Sequence, residues 1–250
     1  MSRRASISPA DDRRWVFNRL AAAYRSRPGY PAALVDRLCD LAGAGARVAD
    51  LGAGTGHLAL PLRARGLHVT AVEPARAMLA ELSRAGGSGL EPVHAAAEDT
   101  GLPAAAFDLV LVADALQWID PERGAAEARR LLAPGGALAV VTARTADTPF
   151  HRALGERIAA RNPKSRPGPP PVSLFFSLAG LAAPAEEAFL DRAPLDPPAL
   201  EAVLRSLSYV GPALGPRALE ALLEEVRGLA AAQGGAAWER ELRLAWSRRG

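Results

Sequence analysis

The stretch VADLGAGTGHLAL, Val48 to Leu60, holds the residues best suited to chemistry. Gly52, Gly54 and Gly56 fall at every second position, and Asp50 stands two residues before the first of them. Glycines at this spacing permit tight turns and let a ligand lie against bare backbone. The pattern is G-x-G-x-G, not the dinucleotide fingerprint G-x-G-x-x-G, because His57 occupies the place of the third glycine. A pyrophosphate beside Asp50 would be opposed by roughly 1 kcal/mol in water at 4 Å, and by more in a dry cleft, whereas a cation gains by the same amount. Glu73 follows 21 residues after Gly52, where an acidic side chain accepts hydrogen bonds from ribose hydroxyls. A cationic nucleoside without phosphate satisfies both carboxylates, and S-adenosylmethionine, with its sulfonium and ammonium groups, is such a molecule.

These residues need a strand before the loop and a helix after it. Arg47 to Leu51 reads as a short apolar strand and Leu58 to Arg65 as a helix ended by Gly66. The alternation continues with a strand over Leu67 to Val72, a helix over Ala75 to Arg84 and a strand over Leu90 to Ala95. FDLVLVA, Phe107 to Ala113, is a strong strand. A helix over Pro121 to Leu132 stops at Pro134-Gly135-Gly136, and Ala137 to Thr142 is a further buried strand. Apolar strands without alternation, each followed by a helix, predict a parallel sheet covered on both faces, a doubly wound α/β fold. An earlier helix starts at Pro31 and runs to Gly43. Beyond residue 145 the spacing predicts helices over Phe150 to Arg161, Pro198 to Leu207 and Pro216 to Ala232, with a proline-rich loop from Arg161 to Pro171. The segment WERELRLAWS, Trp238 to Ser247, alternates with period two and reads as an antiparallel strand near a sheet edge.

The composition narrows the class. The chain has 250 residues, 49% of them hydrophobic, and can bury a substantial core. No apolar run reaches the roughly 20 residues of a membrane span. The opening residues MSRRASISPADDRR lack the apolar region of a signal peptide. With the single cysteine Cys39, which precludes an intrachain disulfide, this points to the cytoplasm. The four histidines, His57, His68, His94 and His151, show no metal spacing, so no metal is expected. The net charge is only +3 and is dispersed, which argues against a nucleic-acid partner.

VADLGAGTGHLAL, then VTAVEPARAML, then AAEDTGLPAAAFDLVLVADALQWID, then EARRLLAPGGALAVV resembles, in order and spacing, the class I S-adenosylmethionine-dependent methyltransferases. The similarity is greatest to the small-molecule group that includes trans-aconitate methyltransferase-like proteins. It covers residues 15–143 and, more weakly, SLSYV at Ser206 to Val210. The resemblance implies a seven-stranded, mostly parallel sheet with Trp238 to Ser247 inserted antiparallel beside the fifth strand, and a helical cap. It divides the chain into an N-terminal lid (1–30), a cofactor-binding core (31–145), a helical cap with a late sheet strand (146–235) and the C-terminal strand (236–250).

The resemblance also places residues. Gly52, Ala53, Gly54 and Gly56, with Asp50, would hold the methionine part of S-adenosylmethionine, and Glu73 the ribose. Pro74, Met78, Ala97 and Glu98 would flank the adenine, although Met78 at helical spacing equally suits the core. Tyr24 and Arg27 would close over the methionine end or the substrate, and Asp114 to Trp118 would face the methyl group. Gln117 departs from the family, where many relatives carry His-Trp. A histidine there could act as general base, whereas Gln117 can only orient the acceptor, and Trp118 would form an aromatic wall. The expected activity is methyl transfer to a small-molecule acceptor, with an O-acceptor favoured because a carboxylate or phenolate needs no strong base. A cofactor-binding protein without catalysis and a nicotinamide-dependent oxidoreductase are the alternatives, and monomer and homodimer are equally compatible with the sequence.

Overall fold

The computed structural model describes residues 16–163 and 171–250. A seven-stranded sheet, in the order β3-β2-β1-β4-β5-β7-β6, forms its centre. Five strands run parallel: β1 (Arg47–Leu51), β2 (His68–Val72), β3 (Leu90–Val93), β4 (Phe107–Ala113) and β5 (Leu132–Thr145). The last strand, β7 (Ala236–Arg248), inserts antiparallel between β5 and β6 (Ala185–Leu195). This is the doubly wound architecture expected, with the antiparallel strand beside the fifth.

Alternate residues of each central strand enter opposite cores, as the two-residue period of a strand requires. Val48, Leu109 and Leu111 pack with Leu34 and Leu38 of α2 (Ala32–Ala42) and Leu62 of α3 (Ala59–Ala64). Ala49, Val110 and Val112 face the other way, toward Ala125 and Ala128 of α5 (Pro121–Leu131) and Phe175 and Phe176 of α7 (Val172–Leu178). Both faces are therefore dry, which explains the unbroken apolar runs.

The helical region beyond the sheet has a core of its own. Leu154 of α6 (Pro149–Arg161), Leu204 of α8 (Pro197–Ser206) and Leu222 of α9 (Pro216–Ala232) meet in one cluster, against which Trp238 packs. Because β7 runs antiparallel, its first residues lie at the carboxyl edge of the parallel strands. Thr145, the last residue of β5, pairs with Arg240, so Trp238 projects past that edge beneath the cap.

Residues Val16–Arg25 form α1, the described part of the expected lid. Leu20 and Ala21 bury against Ala75 and Met78, the latter in α4 (Arg76–Ala85). The first turn of α4 lacks a side-chain cap of its own, and Asn18 of α1 supplies one by accepting from the Ala77 N–H at 2.9 Å. Residues 1–15 of the lid and residues 164–170 of the proline-rich loop lie outside the described residues. Among the described residues no helix is long and apolar enough to cross a membrane.

Candidate active site

The glycine loop leaves the carboxyl end of β1 in the sheet interior. Gly52 and Ala53 donate backbone N–H groups to the Val72 carbonyl at 2.9 and 3.0 Å, which ties the loop to the end of β2. Gly52 has φ +81°, and a Cβ there would lie 2.7 Å from that of Ala115. Gly56 has φ +91°, and its Cβ would stand 2.3 Å from Leu82. Neither position admits a side chain without a shift.

Three clefts, open to solvent, meet over this loop. The first, of about 580 Å³, is lined by Glu73, Pro74, Met78, Ala97 and Glu98, with Trp118 at one side. The second, of about 480 Å³, is lined by Asp50, Ala53, Arg27 and His57. The third, of about 830 Å³, holds Gln117 and Trp118 together with Arg27, Trp238 and Arg240. Gly52 and Gly54 border the first two, while Tyr24 and Asp114 border all three and so mark the junction. Of the residues singled out by the sequence, Gly56 alone lines none of these clefts, and its bare backbone serves packing against α4. Met78 is both core and lining, being 1% exposed.

Asp50 is 2% exposed, and no described residue donates a hydrogen bond to it. Burial, with the nearby Glu73 carboxylate adding to it, raises its pKa from the ordinary 3.8 to about 7. Glu73 is also buried, but its oxygens are engaged: Oε2 accepts from the Gly54 N–H at 2.9 Å and Oε1 from the Ala75 N–H at 2.7 Å. It thus braces the glycine loop against the turn after β2. Glu98 accepts from the Asp120 N–H at 3.0 Å, whereas its neighbour Asp99 is exposed.

Asp114 ends β4 in the left-handed region, at φ +49°. Its Oδ2 accepts from the Tyr30 hydroxyl at 2.9 Å and its Oδ1 from the Ala143 N–H at 2.8 Å. Burial raises its pKa, and the bond from Tyr30 opposes that rise. Gln117 is exposed, and its Nε2 donates to the Asp114 carbonyl at 2.8 Å. Trp118 meets the edge of Phe17 from α1 at 5.1 Å.

The lid is fastened at three points. Arg27 donates through Nε to Ser206 Oγ at 2.7 Å and through Nη2 to the Ser206 carbonyl at 2.8 Å, while its guanidinium stacks 4.1 Å over Tyr24. His57 Nε2 lies 3.1 Å from the Arg27 carbonyl, and burial lowers the pKa of this imidazole. Arg240 Nη2 reaches the Gly29 carbonyl at 2.5 Å. The departure from the dinucleotide pattern at position 57 therefore supports the lid. Arg240 and Phe17 are site residues that the motifs leave unmarked. The available sign for Arg240 is an arginine on the apolar parity of β7, in step with Trp238 and Leu242. Among the described residues no group of three or more His, Cys, Asp or Glu side chains is arranged to hold a metal ion.

The strand order matches the Rossmann-like methyltransferase fold. Residues 49–140 match a family model described as a methyltransferase domain. An uncharacterized methyltransferase of Mycobacterium tuberculosis is 42% identical over 144 residues, which cover 57% of this chain and 58% of the relative. A demethylmenaquinone methyltransferase of Clavibacter sepedonicus is 37% identical over 113 residues, covering 44% and 46%. The chain thus spans about half the length of these curated relatives. A solved structure from Anaeromyxobacter dehalogenans, assigned as a type II methyltransferase, is 27% identical over 89% of this chain and 97% of its own, with a TM-score of 0.60.

Proposed function

We propose that this chain binds S-adenosylmethionine and transfers its methyl group to a small-molecule acceptor. The observation that carries the reading is Asp50: a buried carboxylate, without a donor of its own, that faces a cleft over a glycine loop. Such a group is costly to ionise unless a cation or donor comes to it. When bound, the cofactor supplies a methyl group on a positively charged sulfur, which a nucleophile can accept.

The residues present fit that molecule. Asp50 suits the ammonium of the amino-acid end, and Arg27 offers its carboxylate a cation. Glu73, oriented by its two backbone bonds, suits ribose hydroxyls. Pro74, Met78 and Ala97 give the adenine an apolar slot, with Glu98 at its rim. Tyr24 and Asp114, at the junction of the clefts, stand where the acceptor atom would approach. α1 and the aromatic pair Phe17 and Trp118 exclude water there, and alignment in a closed site is worth up to roughly 7–11 kcal/mol. Gln117 can orient an acceptor but cannot take its proton, so an oxygen nucleophile that ionises readily is favoured.

Isothermal calorimetry tests the reading. S-adenosylmethionine and its demethylated product are expected to bind in the micromolar range, and NAD not at all. Equal or tighter binding of NAD would overturn it.

A further inference from the structure

The sheet itself forms the floor of the third cleft. Ala143 and Thr145 come from β5, and Trp238 and Arg240 from β7. Residues two apart on a strand project to one face, so the Trp238 indole and the Arg240 guanidinium stand side by side. Trp118 faces the same space from the turn after β4.

Arg240 is hydrogen-bonded along one edge, and its guanidinium lies 5.6 Å over the Tyr30 ring. Its Nε donates to Asp191 Oδ2 at 2.9 Å, and its Nη2 reaches Asp191 and the Gly29 carbonyl. No described residue accepts from Nη1, although the side chain is only 10% exposed. Nη1 is not among the fully buried polar atoms, so it is open to the cleft that Arg240 lines, and a carboxylate is the acceptor that matches a guanidinium best. The protein's own carboxylate in this cleft, Asp114, has both oxygens engaged by Tyr30 and Ala143. Arg27 adds a second guanidinium whose Nε and Nη2 are taken by Ser206, with no carboxylate paired to it. An amine acceptor would bring its cation against both arginines. An anion bearing a flat ring meets donors and aromatic faces together.

We propose that this cleft takes an aromatic carboxylate, with its carboxylate on Arg240 Nη1 and its ring between Trp118 and Trp238. The proposal rests on the methyltransferase reading and names the acceptor class for that site.

The test titrates 4-hydroxybenzoate, salicylate and trans-cinnamate, each beside its uncharged amide, into protein saturated with S-adenosylhomocysteine. Calorimetry and tryptophan fluorescence report binding. At least one acid should bind tenfold or more tightly than its amide and quench the fluorescence. Arg240→Met should abolish that preference, and Arg240→Lys should retain part of it. Because Arg240 also holds Gly29, S-adenosylhomocysteine affinity and thermal unfolding are followed in both variants. A preference lost while both of these persist assigns the effect to the acid. If no acid exceeds its amide on the saturated wild type, the proposal is overturned and the cofactor reading stands. If S-adenosylhomocysteine itself does not bind, the reading beneath it falls and takes the proposal with it.

Discussion

Replacing Asp50 by asparagine removes one charge and almost no volume, at a site 2% exposed. In the unfolded chain this carboxyl titrates near 3.8, and in the native state near 7. Its pKa is raised on folding, so its contribution to stability is fully present below about pH 4 and is lost as pH rises through 7. A difference of about three pH units corresponds to roughly 4 kcal/mol between the two limits. Asp50→Asn should therefore be more stable than the wild type at pH 8, and about 2 kcal/mol of that advantage should disappear by pH 5.5. Urea unfolding of both proteins at the two pH values measures this, and taking the difference cancels groups such as Asp114 and His57 that titrate in both. Binding should move the other way. A cation over Asp50 favours its ionised form, so wild-type affinity for S-adenosylmethionine should climb toward pH 8, while the variant binds weakly with a flat profile in that range. A stability difference that does not change between pH 5.5 and 8 would show that Asp50 is not a buried titrating charge. An affinity unaffected by the substitution would place the cation elsewhere.

Two further outcomes follow from the same geometry. Glu73→Ala should lower S-adenosylmethionine affinity at least tenfold, since charge-assisted hydrogen bonds contribute about 1.5–3 kcal/mol each. It should also lower the melting temperature, because the Gly54 and Ala75 N–H groups lose their acceptors; an unchanged dissociation constant would confine Glu73 to bracing the loop. Gln117→Ala, at an exposed position bonded to the Asp114 carbonyl, should leave the melting temperature almost unmoved while turnover falls without vanishing. Full turnover in that variant would remove Gln117 from the site.

The parallel core was legible because its strands are buried on both faces, and continuous apolar runs such as FDLVLVA have few other destinations. The C-terminal strand declared itself by its period of two, and α9 by its proline start and long apolar stripe. Strand β6 did not. It lies at the sheet edge with most side chains exposed, so AEEAFLDRAPL carries no core pattern, and even Leu190 is 86% exposed. Helix α1 follows a polar, basic opening, and α7 follows a run of prolines, so neither is announced by its flanks. That Asp50 and Glu73 line the clefts could be read because local spacing fixes them at the ends of β1 and β2. Arg240 could not, because its meaning depends on Asp191 and Gly29, which only the tertiary fold brings to it.

The lid fastenings have a consequence for how the molecule is made. Strands β1 to β5 close through short crossovers, and this part of the sheet can assemble while later residues are still being added. The bonds from Arg27 to Ser206 and from Arg240 to Gly29 span 179 and 211 positions of the chain. During synthesis at roughly 5–20 residues per second, these two of the three fastenings stay open for many seconds after the glycine loop and the His57 contact have formed. A nascent chain at that stage exposes the apolar slot and the buried carboxylates to water and to chaperones. A ligand arriving then would meet a cleft that still lacks Ser206 and Arg240.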